Sequence, residues 1–227
     1  MLYTEEAVRA NIRNREGKRV IYLRKEDRLT SSARDYLTRE RIEILSPELA
    51  KPERYRLPNG AYLEEKPEHM THLRGDLLVF KTHPVIRFRG KLDTLQAELI
   101  LGQLEVPGEA KRLGEILDFS RQLIRCDVMQ EPVSAEKLCG LTEQELRHRS
   151  HFPQEYYRKP HFMPEASDGP VIARLNRLRS FAREAELAAA AAFTDPEGNC
   201  TRPDILRALN RMSSMLYIMM IEQRGKV

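Results

Sequence analysis

Pro170-Val171-Ile172-Ala173-Arg174-Leu175-Asn176-Arg177-Leu178-Arg179-Ser180-Phe181-Ala182-Arg183-Glu184-Ala185-Glu186 is the stretch whose reading decides the fold. Val171, Leu175, Leu178, Ala182, Ala185 and Ala189 recur at helical spacing, which predicts a helix from Pro170 to Phe193 with one face in a core. Asn176, Arg179, Arg183 and Glu186 form a second stripe beside that face, so two arginines and a carboxylate share one edge. A further helix is expected from Pro203 to Gln223, with Leu206, Leu209, Met212, Leu216 and Met219 or Met220 turned to the core. Along it Asn210, Ser213, Ser214 and Tyr217 fall at i, i+3, i+4, i+7. Solvated helix surface is usually filled with Lys and Glu, so a stripe of amide and hydroxyls points to a face that meets a ligand or partner.

Working outward, Leu92–Leu104 and Glu109–Asp127 read as two more helices separated by Pro107-Gly108, and Thr142-Glu143-Gln144-Glu145 opens another with a capping box. Phe152–Asp168 is a long connection carrying Tyr156, Tyr157 and Phe162, and connections of that length inside a compact domain are often functional. Near the start, Thr4–Arg15 is a helix-prone run closed by Gly17, Val20–Leu23 a strand, Thr30 the N-cap of a helix, and Ile42–Leu45 a second strand. The expected organisation is a small helix-strand-helix-strand module over 1–46, a Pro/Gly-rich linker with room for a hairpin over 47–68, and an all-α helical bundle over 69–227.

Composition narrows the class. A chain of 227 residues with 32% charged residues, a mean hydropathy of −0.55 and no apolar run of membrane-spanning length is expected to be soluble, with no membrane partner. No signal peptide is legible, which places it in the cytoplasm. Cys126, Cys139 and Cys200 are scattered and odd in number, which argues against a disulfide framework or a zinc knuckle. His148, His151 and His161 lack tight ligand spacing, as do His69 and His72, so no metal site is assigned. The net charge of +4 suits an anionic ligand, yet acids are interleaved nearly everywhere and no nucleic-acid motif is present, which argues against a nucleic-acid partner.

Leu178–Glu186 together with Ala208-Leu209-Asn210-Arg211-Met212-Ser213-Ser214-Met215-Leu216-Tyr217 resembles the paired helices of the ATP:corrinoid adenosyltransferases. Met163-Pro164-Glu165-Ala166-Ser167 and Arg202-Pro203-Asp204-Ile205-Leu206 make the ethanolamine-utilisation type the nearest likeness, and the resemblance covers roughly the last two-thirds of the chain. It implies a five-helix bundle, ATP, Mg²⁺ and cobalamin as the reaction's components, and a homo-oligomer with its active site between subunits. A trimer is expected first and a dimer second. A reductase is a possible partner, and the N-terminal module is similar to those of proteins associated with bacterial microcompartments, which implies an assembly role there; a simple cap on the bundle explains it equally well.

The resemblance also assigns residues. Thr71-His72-Leu73-Arg74-Gly75-Asp76 stands where the family has a glycine-rich nucleotide loop, making Thr71, Arg74 and Gly75 phosphate contacts, although only Gly75 remains of the usual glycines. A turn before a strand is the reading without the resemblance. Lys81 becomes a further phosphate contact. Asp93 corresponds to the acid that pairs with the first arginine of the fourth helix, here Arg179, whereas its local pattern reads as an acid in a helix's first turn. Arg183 is assigned to the phosphates, Asn210 to the nucleoside, and Glu186 to the nucleotide or to orienting Arg183; the plain alternative is an ion pair on a solvated face. Read from Pro164, His161 falls at the family's corrin-facing Phe, with Phe162 beside it, so Phe162 is expected to take that role and His161 to be turned away or hydrogen-bonded elsewhere; a Phe162 that only packs the loop against the bundle explains the residue equally well. Some relatives of the ethanolamine type bind a metal through a cysteine cluster, and no cysteine precedes Arg125 here.

Two classes of function follow. One is transfer of the 5′-deoxyadenosyl group of ATP to cob(I)alamin. The other is a noncatalytic microcompartment assembly factor or nucleotide- or nucleic-acid-binding bundle.

Overall fold

The computed structural model describes residues 2–15, 17–46, 54–134 and 136–225. The chain divides into two units, Met1–Arg56 with Gly60–Glu65, and Leu57–Asn59 with Lys66–Val227.

In the first unit β1 (Leu2–Tyr3) leads into α1 (Glu5–Ala10), whose N-terminus is capped by the Thr4 hydroxyl accepting from the Ala7 N–H. The helix expected to reach Arg15 stops at Ala10. Arg13–Arg15 is instead β2, paired antiparallel with β3 (Lys18–Tyr22), because Gly17 at φ +80° lets the chain reverse tightly enough to bring Arg15 opposite Lys18. β4 (Arg28–Leu29) runs parallel to β1, and α2 (Ser31–Arg39) begins at Thr30, which caps it as its sequence predicts. β5 (Glu43–Leu45) then returns parallel to β3. Val8, Ile21, Leu23, Ala33, Tyr36, Leu37 and Ile42 form the core of this small α/β module. β6 (Tyr55–Arg56) and β7 (Tyr62–Leu63) supply the hairpin for which the linker had room, while 47–53 of that linker lies outside the described residues.

The second unit starts with a hairpin, β8 (Met70–Arg74) and β9 (Leu77–Phe80), turned at Gly75 with φ +51°. Thr71 and Arg74 thus sit on a strand, and the turn reading of Thr71–Asp76 describes the local backbone better than a loop that wraps phosphate. α3 (Pro84–Glu105) begins well before the expected Leu92, because Pro84 is preorganised for the first helical turn and the His83 ring nitrogen Nδ1 accepts the Val85 N–H at 3.2 Å. Asp93 consequently lies near the middle of α3, so the helix-macrodipole account of that residue does not hold. After α4 (Ala110–Met129), the expected capping box is present at Thr142 and Glu145 and opens α5 (Glu143–His151). The long connection contains the short α6 (Pro153–Tyr157), and α7 (Gly169–Phe193) and α8 (Pro203–Gln223) follow.

The chain is mostly helical, and one apolar core joins α3, α4, α7 and α8, with α5 contributing Leu146. Leu175, Leu178, Ala182, Ala185 and Ala189 of α7 are fully buried, as their spacing predicts. α3 and α7 approach closely at Gly102, where a Cβ would meet the Leu178 Cδ1 at 3.0 Å. On α8 no residue after Arg207 is exposed. No helix among the described residues is long and apolar enough to cross a membrane.

The start of α8 is fixed by Arg202, which pairs with Asp204 at 2.9 Å and donates to the carbonyls of Cys126 and Glu131, while the Asp204 carboxylate accepts the Val133 N–H at 3.0 Å. The Arg202 hydrogen bonds hold the Asp204 carboxyl down at about 2. A folded-state value below the unfolded one of about 3.9 means that its stabilisation is present above that pH and lost as pH falls toward 2. Asp204→Asn is therefore expected to melt at a lower temperature than the parent at pH 7. That gap should close through the window from about 4 to about 2, a trend that thermal melts across pH would check.

Candidate active site

α7 and α8 run side by side and present their polar stripes to one open cleft of about 630 Å³. Arg179 and Arg183 come from α7, and Asn210, Ser213, Ser214 and Tyr217 from α8. The end of α5 adds Ser150 and His151, and the strap between α6 and α7 adds His161, Phe162, Met163 and Pro164. The amide and hydroxyl stripe predicted to meet something is thus a cleft wall, and the periodicity of α8 explains why: its other faces are committed to the core.

The strap is tied down from both sides. Lys159 donates to the carbonyls of Ile221, Glu222 and Arg224, neutralising carbonyls left open at the end of α8. His161 Nδ1 lies 3.0 Å from the Tyr217 hydroxyl and Nε2 lies 3.0 Å from the His151 carbonyl. A carbonyl only accepts, so Nε2 donates to it, and in the neutral ring Nδ1 then accepts from the Tyr217 hydroxyl. The Tyr217 oxygen in turn accepts from the Phe162 N–H at 3.4 Å. Both nitrogens of His161 are engaged within the protein. Phe162 stacks on Tyr217 with centroids 6.2 Å apart, and the Arg224 guanidinium lies 4.3 Å over its ring.

The cleft is cationic. Arg179, half-buried, stacks over Tyr217 at 5.4 Å, and its pKa is lowered by burial and then by Arg183. Arg183 is exposed, and among the described residues neither arginine forms an ion pair. Glu186, expected to meet nucleotide or to orient Arg183, instead accepts from Asn210 Nδ2 at 3.0 Å. Two like charges that share no carboxylate among the described residues could hold an anion with several oxygens.

Other expected contacts stand apart from the cleft within one chain. Thr71, Gly75 and Lys81 belong to the β8–β9 hairpin and the turn after it, and Arg74 lies 3.8 Å from the buried Asp127 carboxylate. Asp93 is exposed on α3 and does not pair with Arg179 within the chain; Lys91 two residues earlier pairs with Glu184 at 2.7 Å. Sequence reasoning used Met163 and Pro164 only as part of a motif and as a register mark, and gave no role in the cleft to them or to Ser150, which the packing of α5 and the strap brings in. Among the described residues no group of three His, Cys, Asp or Glu side chains converges on a metal-sized site.

Comparison with known proteins bears on this geometry. The cobalamin adenosyltransferase family model matches residues 61–223, a span that includes the whole cleft. The corrinoid adenosyltransferase EutT of Salmonella typhimurium is 36% identical over 242 aligned positions, covering 96% of this chain and 90% of the relative. The protein of the same name from Escherichia coli K12 is 33% identical over the same share of each chain. No solved structure matches. With the family match spanning the cleft and these relatives aligned along nearly their full length, the chain belongs to the cobalamin adenosyltransferase family.

Proposed function

We propose that the protein transfers the 5′-deoxyadenosyl group of ATP to the cobalt of a reduced corrinoid, cob(I)alamin, yielding adenosylcobalamin. The electron pair on cobalt forms the bond to C5′, the C5′–O bond breaks, and that pair leaves with the polyphosphate. Charge then gathers on the departing oxygens, and the protein accelerates the step by holding cations where it gathers and by fixing C5′ in line. The observation that carries this reading is the Arg179–Arg183 pair, unneutralised on the wall of a cleft whose other walls are hydroxyls, an amide and aromatic rings. Arg183 and Arg179 take the phosphates. Asn210, held by Glu186, meets the nucleoside, and Phe162 with the His161 strap faces the corrin. None of the cleft-lining residues is acidic, so Mg²⁺ would arrive coordinated by the phosphates of ATP rather than by protein carboxylates.

The helices α3, α4, α5, α7 and α8 are read as the family's five-helix bundle over 69–227, behind a module at 1–46 and a linker at 47–68. Asp93 is exposed and Arg179 has no carboxylate partner among the described residues, which supports a homo-oligomer, a trimer by preference, in which Asp93 of one copy reaches Arg179 of another. The same assembly would carry Thr71, Arg74, Gly75 and Lys81 to the nucleotide. A role in ethanolamine catabolism, and docking of the N-terminal module at a microcompartment, extend the reading to the cell.

The deciding measurement is anaerobic: ATP is added to cob(I)alamin with the protein and the corrinoid spectrum followed. Formation of adenosylcobalamin supports the assignment, and its absence, with or without a Mg-ATP thermal shift, refutes it. A dry aromatic contact below the corrin would ease cobalt reduction by excluding a lower ligand. Phe162→Ala is therefore expected to slow turnover about tenfold when cob(II)alamin must be reduced in the site. It should spare turnover when preformed cob(I)alamin is supplied. Equal losses in the two assays would assign Phe162 to packing.

A further inference from the structure

Arg211 follows Asn210 on α8 but faces away from the cleft. It lines a separate cavity of about 80 Å³ between α5, α8, Val133 and the 136–141 segment, together with Glu143, Arg207 and Asp204. Its side chain is only 12% exposed, and the carboxylate nearest to it is a poor partner: Glu143 lies 3.8 Å from Arg211 Nε and is shared with Arg207 at 3.5 Å. The buried Nε has no hydrogen-bond partner among the described residues. Such an arrangement is a weak reason to bury a guanidinium, whose desolvation is costly unless a hydrogen bond repays it. The well-formed bond goes elsewhere, from Arg211 Nη1 to Asn210 Oδ1 at 3.1 Å.

That bond completes a relay. An arginine can only donate and a carboxylate only accept, so the Asn210 amide is fixed in one orientation, its oxygen to Arg211 and its nitrogen to Glu186 at 3.0 Å. Without Arg211 the amide has one anchor instead of two, and its plane is free to swing about the Glu186 bond. Asn210 is the member of this relay that lines the cleft. We propose that Arg211 is a positioning residue for the adenosyl donor: held outside the cleft, it orients the Asn210 amide so that an amide N–H stays available to an acceptor atom of the nucleoside. This rests on the nucleotide reading of the cleft given above.

The test compares the parent enzyme with Arg211→Met, Arg211→Lys, Asn210→Ala and the Arg211→Met/Asn210→Ala double variant, measuring KM separately for ATP and for cob(I)alamin. Arg211→Met should raise KM for ATP about tenfold, the loss expected for one hydrogen bond to a charged group, and leave KM for the corrinoid within about twofold. Arg211→Lys, which can still donate to Oδ1, should recover most of that loss. The double variant should be no worse than Asn210→Ala alone, because the relay is already cut. An unchanged KM for ATP, parallel rises in both KM values, or losses that add to those of Asn210→Ala would overturn the proposal by reducing Arg211 to a structural residue. Should Arg211→Met fail to melt cooperatively, Arg211→Leu, which likewise has no donor for Oδ1, carries the same cycle, with the same outcomes decisive. A parent enzyme that makes no adenosylcobalamin would overturn the nucleotide reading itself, whereas an active parent indifferent to Arg211 overturns this inference alone.

Discussion

Arg183→Ala is expected to lower adenosylation by a factor of about a hundred or more, the scale on which removing one charge-stabilising group acts. The fold should not suffer. Arg183 is exposed, makes no ion pair among the described residues, and its charge depresses the pKa of Arg179, so its removal relieves a repulsion. The melting temperature of the variant should accordingly match or slightly exceed that of the parent, with a change within about 0.5 kcal/mol. The stabilisation produced by Mg-ATP should shrink sharply. Anaerobic turnover and thermal melts with and without Mg-ATP measure all three quantities. Turnover within about threefold of the parent would take the phosphate role away from Arg183.

Asp127→Ala should have the largest effect on stability, about 3–5 kcal/mol, the usual cost of stripping one partner from a buried ion pair. The Asp127 carboxylate is fully buried and accepts from Arg89 Nε at 2.8 Å, with Nη2 at 2.6 Å and Arg74 Nη2 at 3.8 Å. Arg89 Nη2 also donates to the Leu73 carbonyl at 3.0 Å, so one guanidinium ties the end of α4 to strand β8. Without the carboxylate, the largely buried Arg89 loses its charge partner while Arg74 can turn to water. Asp127→Asn keeps the acceptor but loses the charge and should fall between the two. Denaturant unfolding at neutral pH gives the comparison, and a loss below about 1 kcal/mol would mean that water reaches the pair and screens it. Because the same hairpin carries Thr71 and Arg74, weaker Mg-ATP binding in Asp127→Asn would favour their assignment to the nucleotide.

The helices α7 and α8 and the stripe that faces the cleft were legible because helical periodicity fixes which residues share a face, and an uncharged polar stripe has no other economical use. Thr30 and Thr142 were legible as caps because the signal lies within four residues. The start of α3 was not: Val85, Phe88 and Leu92 continue the helical spacing, but His83-Pro84 reads locally as a break, and proline at the first helical position looks the same in sequence as proline that ends a strand. The relays were not legible either. Asn210 to Glu186, and Asp127 to Arg89, join residues on different helices, and single-sequence patterns report faces rather than pairings across them; Arg211 to Asn210 joins neighbours on α8, but nothing in the pattern shows that a residue facing away from the cleft turns its guanidinium to the amide beside it. For the same reason the bond that Glu186 accepts from Asn210 was not foreseen.

The absence of any exposed position on α8 after Arg207 bears on how this protein tolerates change. A typical surface helix has a solvent side on which substitutions drift at little cost. Here the apolar positions are locked in the core, while Asn210, Ser214 and Tyr217 are spoken for by the cleft and the strap. A random replacement from Ala208 to Ile221 therefore strikes either packing or the site, and neutral variation has to be accommodated elsewhere, on the outward sides of α3 and α7 where Leu104 and Leu187 already stand in water. Among randomly mutated active variants, α8 should be the most sparsely altered long helix, so directed change of substrate preference would begin at the strap, where Met163 is 85% exposed.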